Sequence, residues 1–328
     1  MESGKNIKPT SVFIFGLPRS GTTLLQRILM ANPEIASASE PWILLPFLYA
    51  RKQTGILAEY SHNVAYLAIN DFINNLPNKE VDYYKELEGF VSSLYAKYCI
   101  NNEKYFLDKT PPYLYIIPEI IKTFPNAKFI FLFRNPVQIL SSVMNTWGNG
   151  GFDTLYRWID NLFSGPKLLA EGFLMSSGKS IGIRYEDLIR EPDKTVKKLC
   201  DYLQLKFNKS MLSDFNNQEL KGFVDPTGIK NYNKIDNSPL DKWKKTFNSR
   251  CRKRFVINYI YSIDEATLRT LGYNKKELKK ELLDIKAKRF CAIKDIVSLI
   301  KVKLILRFKL NIFFSKKYSE WAKGKYLS

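Results

Sequence analysis

Residues 14–23 read IFGLPRSGTT: the end of an apolar run, a turn bounded by glycines, and the opening of an apolar-faced helix. Gly16 and Gly21 have the spacing of a Walker loop, in which backbone N–H groups and a lysine enclose the phosphates of a nucleotide. Thr23 fits the last position of that pattern, but Thr22 stands where the lysine belongs, and the nearest cation is Arg19 inside the loop. The loop therefore suits an anion other than a triphosphate on Mg²⁺. Upstream, SVFIF at 11–15 reads as a buried parallel strand. Downstream, Leu24, Leu25, Ile28 and Leu29 share one face of a helix over 23–30 that Asn32-Pro33 ends.

The same alternation recurs further along. KFIFLF at 128–133 ends in Arg134-Asn135-Pro136 and leads into a helix through Val143, and the run 180–184 precedes Tyr185-Glu186-Asp187 and a helix over about 192–203. A short strand is expected over 34–36. Apolar strands alternating with helices predict an α/β chain with a three-layer, P-loop-like fold, a central parallel sheet flanked by helices. Residues 43–100 read as a mostly helical insertion, and 216–242 as a lid-like loop rich in Gly, Pro and Asn. The expected division is a domain over 1–274 and a basic amphipathic C-terminal extension over 275–328.

With 328 residues, 45% apolar and 14% aromatic, the chain has ample material for a buried core. Its formal charge of +19 points to an anionic ligand, nucleic acid or an anionic membrane surface. The excess is concentrated at the end: 275–328 holds 16 cations and 5 anions. There the even positions from Val302 to Ile312 are apolar and the odd ones mostly cationic or polar, a period that predicts a strand packed on the body. The basic amphipathic character of 296–328 also suits peripheral contact with an anionic membrane. A span is excluded for 296–314, because Lys301, Lys303, Arg307 and Lys309 would each cost roughly 2.5 kcal/mol or more in a bilayer core. Four cysteines without a CxxC pair or zinc spacing read as core thiols in a reducing compartment. MESGKNIKPT lacks the apolar region of a secretory signal. The expected location is cytoplasmic, with peripheral contact at the inner membrane face as the sharper version.

Three motifs in order over about 11–274 resemble the sulfotransferases that use 3′-phosphoadenosine 5′-phosphosulfate (PAPS). Pro18-Arg19-Ser20-Gly21-Thr22-Thr23 resembles the family's 5′-phosphosulfate loop, where a strand-to-helix turn and helix N-terminus bind the anion. Arg134-Asn135-Pro136 with Ser142 resembles its 3′-phosphate site; a guanidinium grips phosphate through paired charge-assisted hydrogen bonds. Ile183-Arg184-Tyr185-Glu186-Asp187-Leu188 is similar to the family's RYEDL stretch, which implies a cofactor contact for Tyr185, while Glu186 or Asp187 caps the next helix. Lys109 in Asp108-Lys109-Thr110-Pro111 resembles a family lysine facing the bridging oxygen, and Lys242-Trp243 resembles an element closing over the nucleotide. The cofactor-binding set is thus Arg19, Ser20, Gly21, Thr22, Thr23, Arg134, Ser142, Tyr185 and Lys242.

The resemblance implies sulfuryl transfer from PAPS to a hydroxyl, without a metal. Attack on sulfur needs a base for the acceptor proton and a stabiliser of the leaving phosphate. The single histidine, His62, lies in Tyr60-Ser61-His62-Asn63, away from the Lys109 motif, and reads as structural. Glu40, 21 residues after Arg19 in Ser37-Ala38-Ser39-Glu40-Pro41-Trp42, matches the glutamate base of protein-tyrosine and carbohydrate-type members. Trp42 is expected to bury it partly, an environment that raises a carboxyl pKa. The catalytic set is Glu40, Lys109 and Arg19. Trp42, Tyr49, Trp147 and Trp158 are either core or the lining of a sugar or sterol pocket, so the acceptor stands as a glycan, glycolipid or sterol. Two other classes remain: a P-loop kinase, opposed by Thr22 and by Arg134 where an acidic residue would be needed, and a nucleic-acid-binding protein. No specific nucleic acid is expected.

Overall fold

The computed structural model describes residues 8–218, 220–222, 235–286 and 292–311. In chain order the elements are β1 (Thr10–Gly16), α1 (Thr22–Met30), β2 (Ile35–Ser37), α2 (Leu44–Tyr49), α3 (His62–Asn74), α4 (Glu80–Tyr98), β3 (Tyr105–Asp108), α5 (Ile117–Thr123), β4 (Lys128–Phe133) and α6 (Pro136–Trp147). They continue with α7 (Ile159–Phe163), α8 (Gly165–Met175), β5 (Ser180–Arg184), α9 (Tyr185–Arg190) and α10 (Pro192–Leu203). After them come α11 (Ser238–Thr246), α12 (Arg250–Ser262), α13 (Glu265–Thr270), α14 (Lys275–Asp284) and α15 (Ile293–Arg307). The chain divides into two compact units, 1–133 with 168–237, and 134–167 with 238–328.

The first unit carries a five-stranded sheet in the order β2-β3-β1-β4-β5, with every pair parallel. The sheet matches the predicted fold class. Parallel strands buried on both faces read as continuous apolar runs, and β1 is buried along Ser11–Gly16. Phe13 packs at ring-centroid distances of 5.0 Å from Phe124 and 6.1 Å from Phe129. Each such fully buried phenylalanine contributes about 1.5–3 kcal/mol. Because β2 and β3 lie on one side of β1 and β4 and β5 on the other, the strand order reverses at β1. Open α/β sheets bind ligands beyond the carboxyl ends of strands at that reversal.

The second unit is helical in its described residues. Ser141 Oγ donates to Thr246 Oγ1 at 2.8 Å, and Asn145 Nδ2 reaches the same hydroxyl at 2.8 Å, so α11 is fastened to α6. Arg252 on α12 grips Asp295 of α15 with both Nε (2.7 Å) and Nη2 (2.8 Å).

Several expectations need correction. The tail is helical over Ile293–Arg307, with no strand at 302–311. Asp295, Ser298, Val302 and Ile305 are its buried residues, an i, i+3, i+7, i+10 series that belongs to a helix. The two-residue period arises because apolar side chains occupy both the buried and the exposed faces. Cys251, read as a core thiol, is disulfide-bonded, whereas Cys99 and Cys200 are free and buried. Residues 238–242 of the expected loop belong to α11, and 223–234 lie outside the described residues. Neither Glu186 nor Asp187 caps α9: both sit in its first turn, and the N-cap position is Arg184. The 43–100 stretch is helical as expected, over α2, α3 and α4.

Candidate active site

The loop after β1 turns through positive φ at Arg19 (70°) and at Gly21 (98°), the N-cap of α1. The first N–H groups of a helix have no intrahelical acceptor and present a partial positive charge. α1 has no acidic residue in its first turn to occupy them. Thr22 and Thr23 open the helix and are buried. Glycine is required twice: a Cβ on Gly16 would meet Ser20 Oγ and Thr22 Cγ2 at 2.7 Å, and one on Gly21 would meet Tyr185 Cδ2 at 2.5 Å. The Tyr185 ring therefore lies on the loop backbone, and Tyr185 is fully buried there. Ser20 Oγ is buried with no hydrogen-bond partner among the described residues. A buried unpaired hydroxyl costs about 1–3 kcal/mol, which is tolerated where a ligand supplies the missing partner.

At the carboxyl ends of the neighbouring strands the structure brings Glu40 and Lys109 together. Lys109 Nζ donates to Glu40 Oε1 at 2.7 Å, with the lysine side chain 2% and the glutamate side chain 9% exposed. Trp42 Nε1 donates to Glu40 Oε2 at 3.2 Å, so the tryptophan serves the carboxylate as a polar partner rather than as an apolar wall. Trp42 itself is at positive φ, 58°, and half exposed.

Two polar residues that the sequence reading left without a role hold these groups. Gln26 of α1 donates to Ser37 Oγ (2.8 Å), Ala38 O (2.7 Å) and Ser39 O (3.2 Å), fixing the segment that leads to Glu40. Ser39 N donates to Lys221 O at 3.0 Å, so the entry to the expected lid passes beside it. Asp108, fully buried, accepts from Tyr95 Oη (2.6 Å), Thr110 Oγ1 (2.9 Å) and Tyr113 Oη (3.1 Å). Tyr113 Oη in turn accepts from Leu44 N at 3.2 Å. This cluster ties the residue before Lys109 to the stretch after Glu40. Burial raises the Asp108 carboxyl to about 6, against the opposing pull of its three hydroxyl donors and of Lys109. Burial and the Asp108 charge raise both phenols well above their ordinary value. A polar residue within an apolar run was the available signal for Gln26 and Asp108.

The second unit holds Arg134, Ser142, Lys242, Trp147 and Trp158. Arg134 directly follows β4 and is buried, with Nε donating to Gln138 Oε1 at 3.2 Å. Asn135 caps α6 by accepting from Val137 N at 2.9 Å, and Pro136 occupies the first turn. Ser142 lies two turns along α6, half-buried. Lys242 is exposed on α11, one turn before the Thr246 that joins α6. Trp147 and Trp158 stack on each other at 3.8 Å and 7°. His62 opens α3, and its Nε2 lies 2.7 Å from Lys52 O, a structural position.

The sulfotransferase family profile matches residues 9–209. This chain belongs to the sulfotransferase family. It is 24% identical over 288 residues to a putative protein-tyrosine sulfotransferase of Caenorhabditis briggsae, covering 82% of this chain and 91% of that one. It is 30% identical over 141 residues to the nodulation protein NoeE of Sinorhizobium fredii, covering 43% of this chain and 32% of NoeE. The chain thus spans about a third of NoeE's length. Among solved structures, the sulfotransferase domain from the curacin biosynthetic pathway superposes with a TM-score of 0.53 at 23% identity, over 81% of this chain and 98% of that domain. That similarity supports the sulfotransferase fold with its central parallel sheet.

Proposed function

We propose that this chain transfers a sulfuryl group from PAPS to an acceptor hydroxyl. The observation that carries the reading is the buried, unpartnered Ser20 Oγ in a glycine-turned loop that opens α1. The residues present fit the donor. Backbone N–H groups of 21–23, the Ser20 hydroxyl and Arg19 hold the 5′-phosphosulfate, with Thr22 and Thr23 at the helix mouth. Tyr185 packs on Gly21 and keeps the loop in shape. Arg134 and Ser142 take the 3′-phosphate, and Lys242 closes over the nucleotide. When bound, PAPS supplies an activated sulfuryl group on a phosphate leaving group.

The remaining steps belong to this chain's own residues. Glu40 accepts the proton of the acceptor hydroxyl as attack proceeds. Lys109 and Arg19 stabilise the negative charge that accumulates on the departing phosphate oxygen. No metal is required in this scheme, because cationic side chains and backbone donors meet the charge of the donor.

For the acceptor, the extended match to a putative protein-tyrosine sulfotransferase favours the phenolic hydroxyl of tyrosyl peptides. Carbohydrate, glycolipid and sterol hydroxyls remain the other class to screen. The deciding experiment is calorimetric titration, without metal, with 3′-phosphoadenosine 5′-phosphate against ADP and 5′-AMP. Binding that depends on the 3′-phosphate supports the reading. Equal affinity for ADP overturns the assignment of Arg134 and Ser142 to a 3′-phosphate and reopens the kinase reading. Labelled PAPS with tyrosyl peptides and with glycans then separates the acceptor classes.

A further inference from the structure

The outward face of α15 is organised in a way that the transferase chemistry does not use. Its buried side rests on the second unit through Asp295, Ser298, Val302 and Ile305, with Asp295 held by Arg252 at 2.7 Å. On the solvent side lie Ile293, Ile296, Val297, Ile300, Leu304 and the C-cap Phe308, each three or four residues from another of the set. Their exposure runs from 44% at Ile296 to 80% at Ile293. Scattered exposed apolar residues are ordinary, but six aligned on one helix form a continuous apolar strip.

Cations border the strip on both sides. At 100° per residue, Lys294 and Lys301 fall beside the Val297 edge, Lys303 falls beside the Ile296 edge, and Arg307 falls between Ile296 and Ile300 in the last turn; all four are exposed. The helix has one acidic residue, Asp295, and it is turned inward and paired. The exposed surface is therefore an apolar ridge bordered by positive charge on both sides, with Arg307 closing its last turn.

We propose that this face of α15 docks on an anionic lipid bilayer, lying in the plane of the interface. The ridge enters the headgroup boundary to about 5–10 Å, as interfacial helices do. The flanking lysine and arginine stems lie along the apolar surface and keep their charges among the lipid phosphates. Charge complementarity selects this occupant. A second copy of the same face would set cation rows against each other with no acidic residue to offset them. A nucleic-acid backbone would leave the apolar centre against phosphate. The helix lies on the membrane rather than across it, since no described helix is long and apolar enough to span one. This inference is independent of the PAPS reading.

The test is co-sedimentation of the full chain with phosphatidylcholine vesicles, with and without phosphatidylglycerol, alongside light scattering of the protein alone. Binding is expected only with phosphatidylglycerol, and it should weaken as salt rises. Lys301→Gln and Lys303→Gln should each lower the partition coefficient about fivefold, the equivalent of about 1 kcal/mol per charge. Ile300→Asp with Leu304→Asp should remove at least tenfold. These positions face solvent, so each variant should keep the wild-type melting temperature. Equal binding to neutral vesicles, or unchanged binding of the lysine variants, overturns the proposal. A dimer that Ile300→Asp dissociates also overturns it, by assigning the ridge to a second copy of the chain.

Discussion

Lys109 Nζ lies 2.7 Å from Glu40 Oε1 across 69 residues of sequence, and the two side chains are nearly closed to solvent. The pairing of β2 with β3, with Ile35 opposite Tyr105 and Ser37 opposite Leu107, delivers the two residues to the carboxyl ends of neighbouring strands. Removing one partner of a buried pair leaves the other charge uncompensated, at a cost of about 3–5 kcal/mol. A conservative amide is therefore the informative change. Glu40→Gln keeps an acceptor for Lys109 but cannot take a proton. Turnover should fall by about 10² to 10⁴, while calorimetry finds 3′-phosphoadenosine 5′-phosphate bound nearly as in the wild type. A fully active variant would remove Glu40 from the base role.

His62 provides the counterpart. Its ring nitrogen contacts Lys52 O, and it opens α3 rather than following a strand of the sheet. His62→Ala should leave turnover within a few-fold and cost about 0.5–1.5 kcal/mol in stability, the scale of one hydrogen bond. A loss of turnover comparable to that of Glu40→Gln would transfer the base role to the imidazole.

Asp108 makes stability depend on pH in an unusual direction. Its carboxyl is raised to about 6 in the folded chain, mainly by burial, from an ordinary 3.8. Between those values the folded protein binds the proton that the unfolded chain has released. The contribution is therefore fully present below about 3.8 and is lost as pH rises through about 6, by up to about 3 kcal/mol. Asp108→Asn removes the titrating group while keeping most of the shape that Tyr95, Thr110 and Tyr113 surround. Urea unfolding at pH 4.5 and 7.5 should show the variant gaining on the wild type as pH rises. Parallel behaviour at both values would mean that Asp108 does not titrate in this window.

Much of this architecture was legible locally. Gly16, Gly21 and the apolar runs at β1 and β4 announce a strand, a tight turn and a helix within a dozen residues, so the sheet and its glycine-bounded turn could be read without tertiary information. The individual members Glu40 and Lys109 could be named from their motifs, but their direct contact could not, because strand pairing at long range creates it. Gln26, Asp108 and Gln138 were missed because their work is to hold other groups, and a sequence does not record which hydrogen bonds a buried amide or acid will make. The tail misled for a different reason. Over 302–310 a helix apolar on two faces mimics a period of two, and only the longer window from Ile293, which includes the buried Asp295 and Ser298, separates the two readings.

Arg134 is placed by Gln138, one helical turn on, at 3.2 Å. If Arg134 binds the 3′-phosphate, Arg134→Ala should weaken 3′-phosphoadenosine 5′-phosphate by about 1.5–3 kcal/mol, the range of hydrogen bonds to charged groups. Its effect on ADP should be small. Gln138→Ala removes a support rather than a ligand contact and should cost about 0.5–1.5 kcal/mol of the same affinity. Equal losses for both nucleotides with Arg134→Ala would show that the guanidinium holds the fold and not the 3′-phosphate.

The contact between Gly21 and Tyr185 allows the loop's two constraints to be separated. A Cβ at position 21 meets a left-handed backbone, φ 98°, and also the Tyr185 ring, with Cδ2 at 2.5 Å and Cε2 at 2.6 Å. The backbone component costs about 1–2 kcal/mol, and the overpacking component adds about 1–3 kcal/mol. Tyr185→Val withdraws the ring and leaves φ unchanged. Gly21→Ala should therefore destabilise the Tyr185→Val background by about 1–3 kcal/mol less than it destabilises the wild type, a coupling readable from a double-mutant cycle in urea. If the ring positions the loop for its anion, Tyr185→Val alone should also weaken 3′-phosphoadenosine 5′-phosphate. An additive cycle would mean that the ring moves aside freely, and the loop's shape would then rest on the glycine backbone alone.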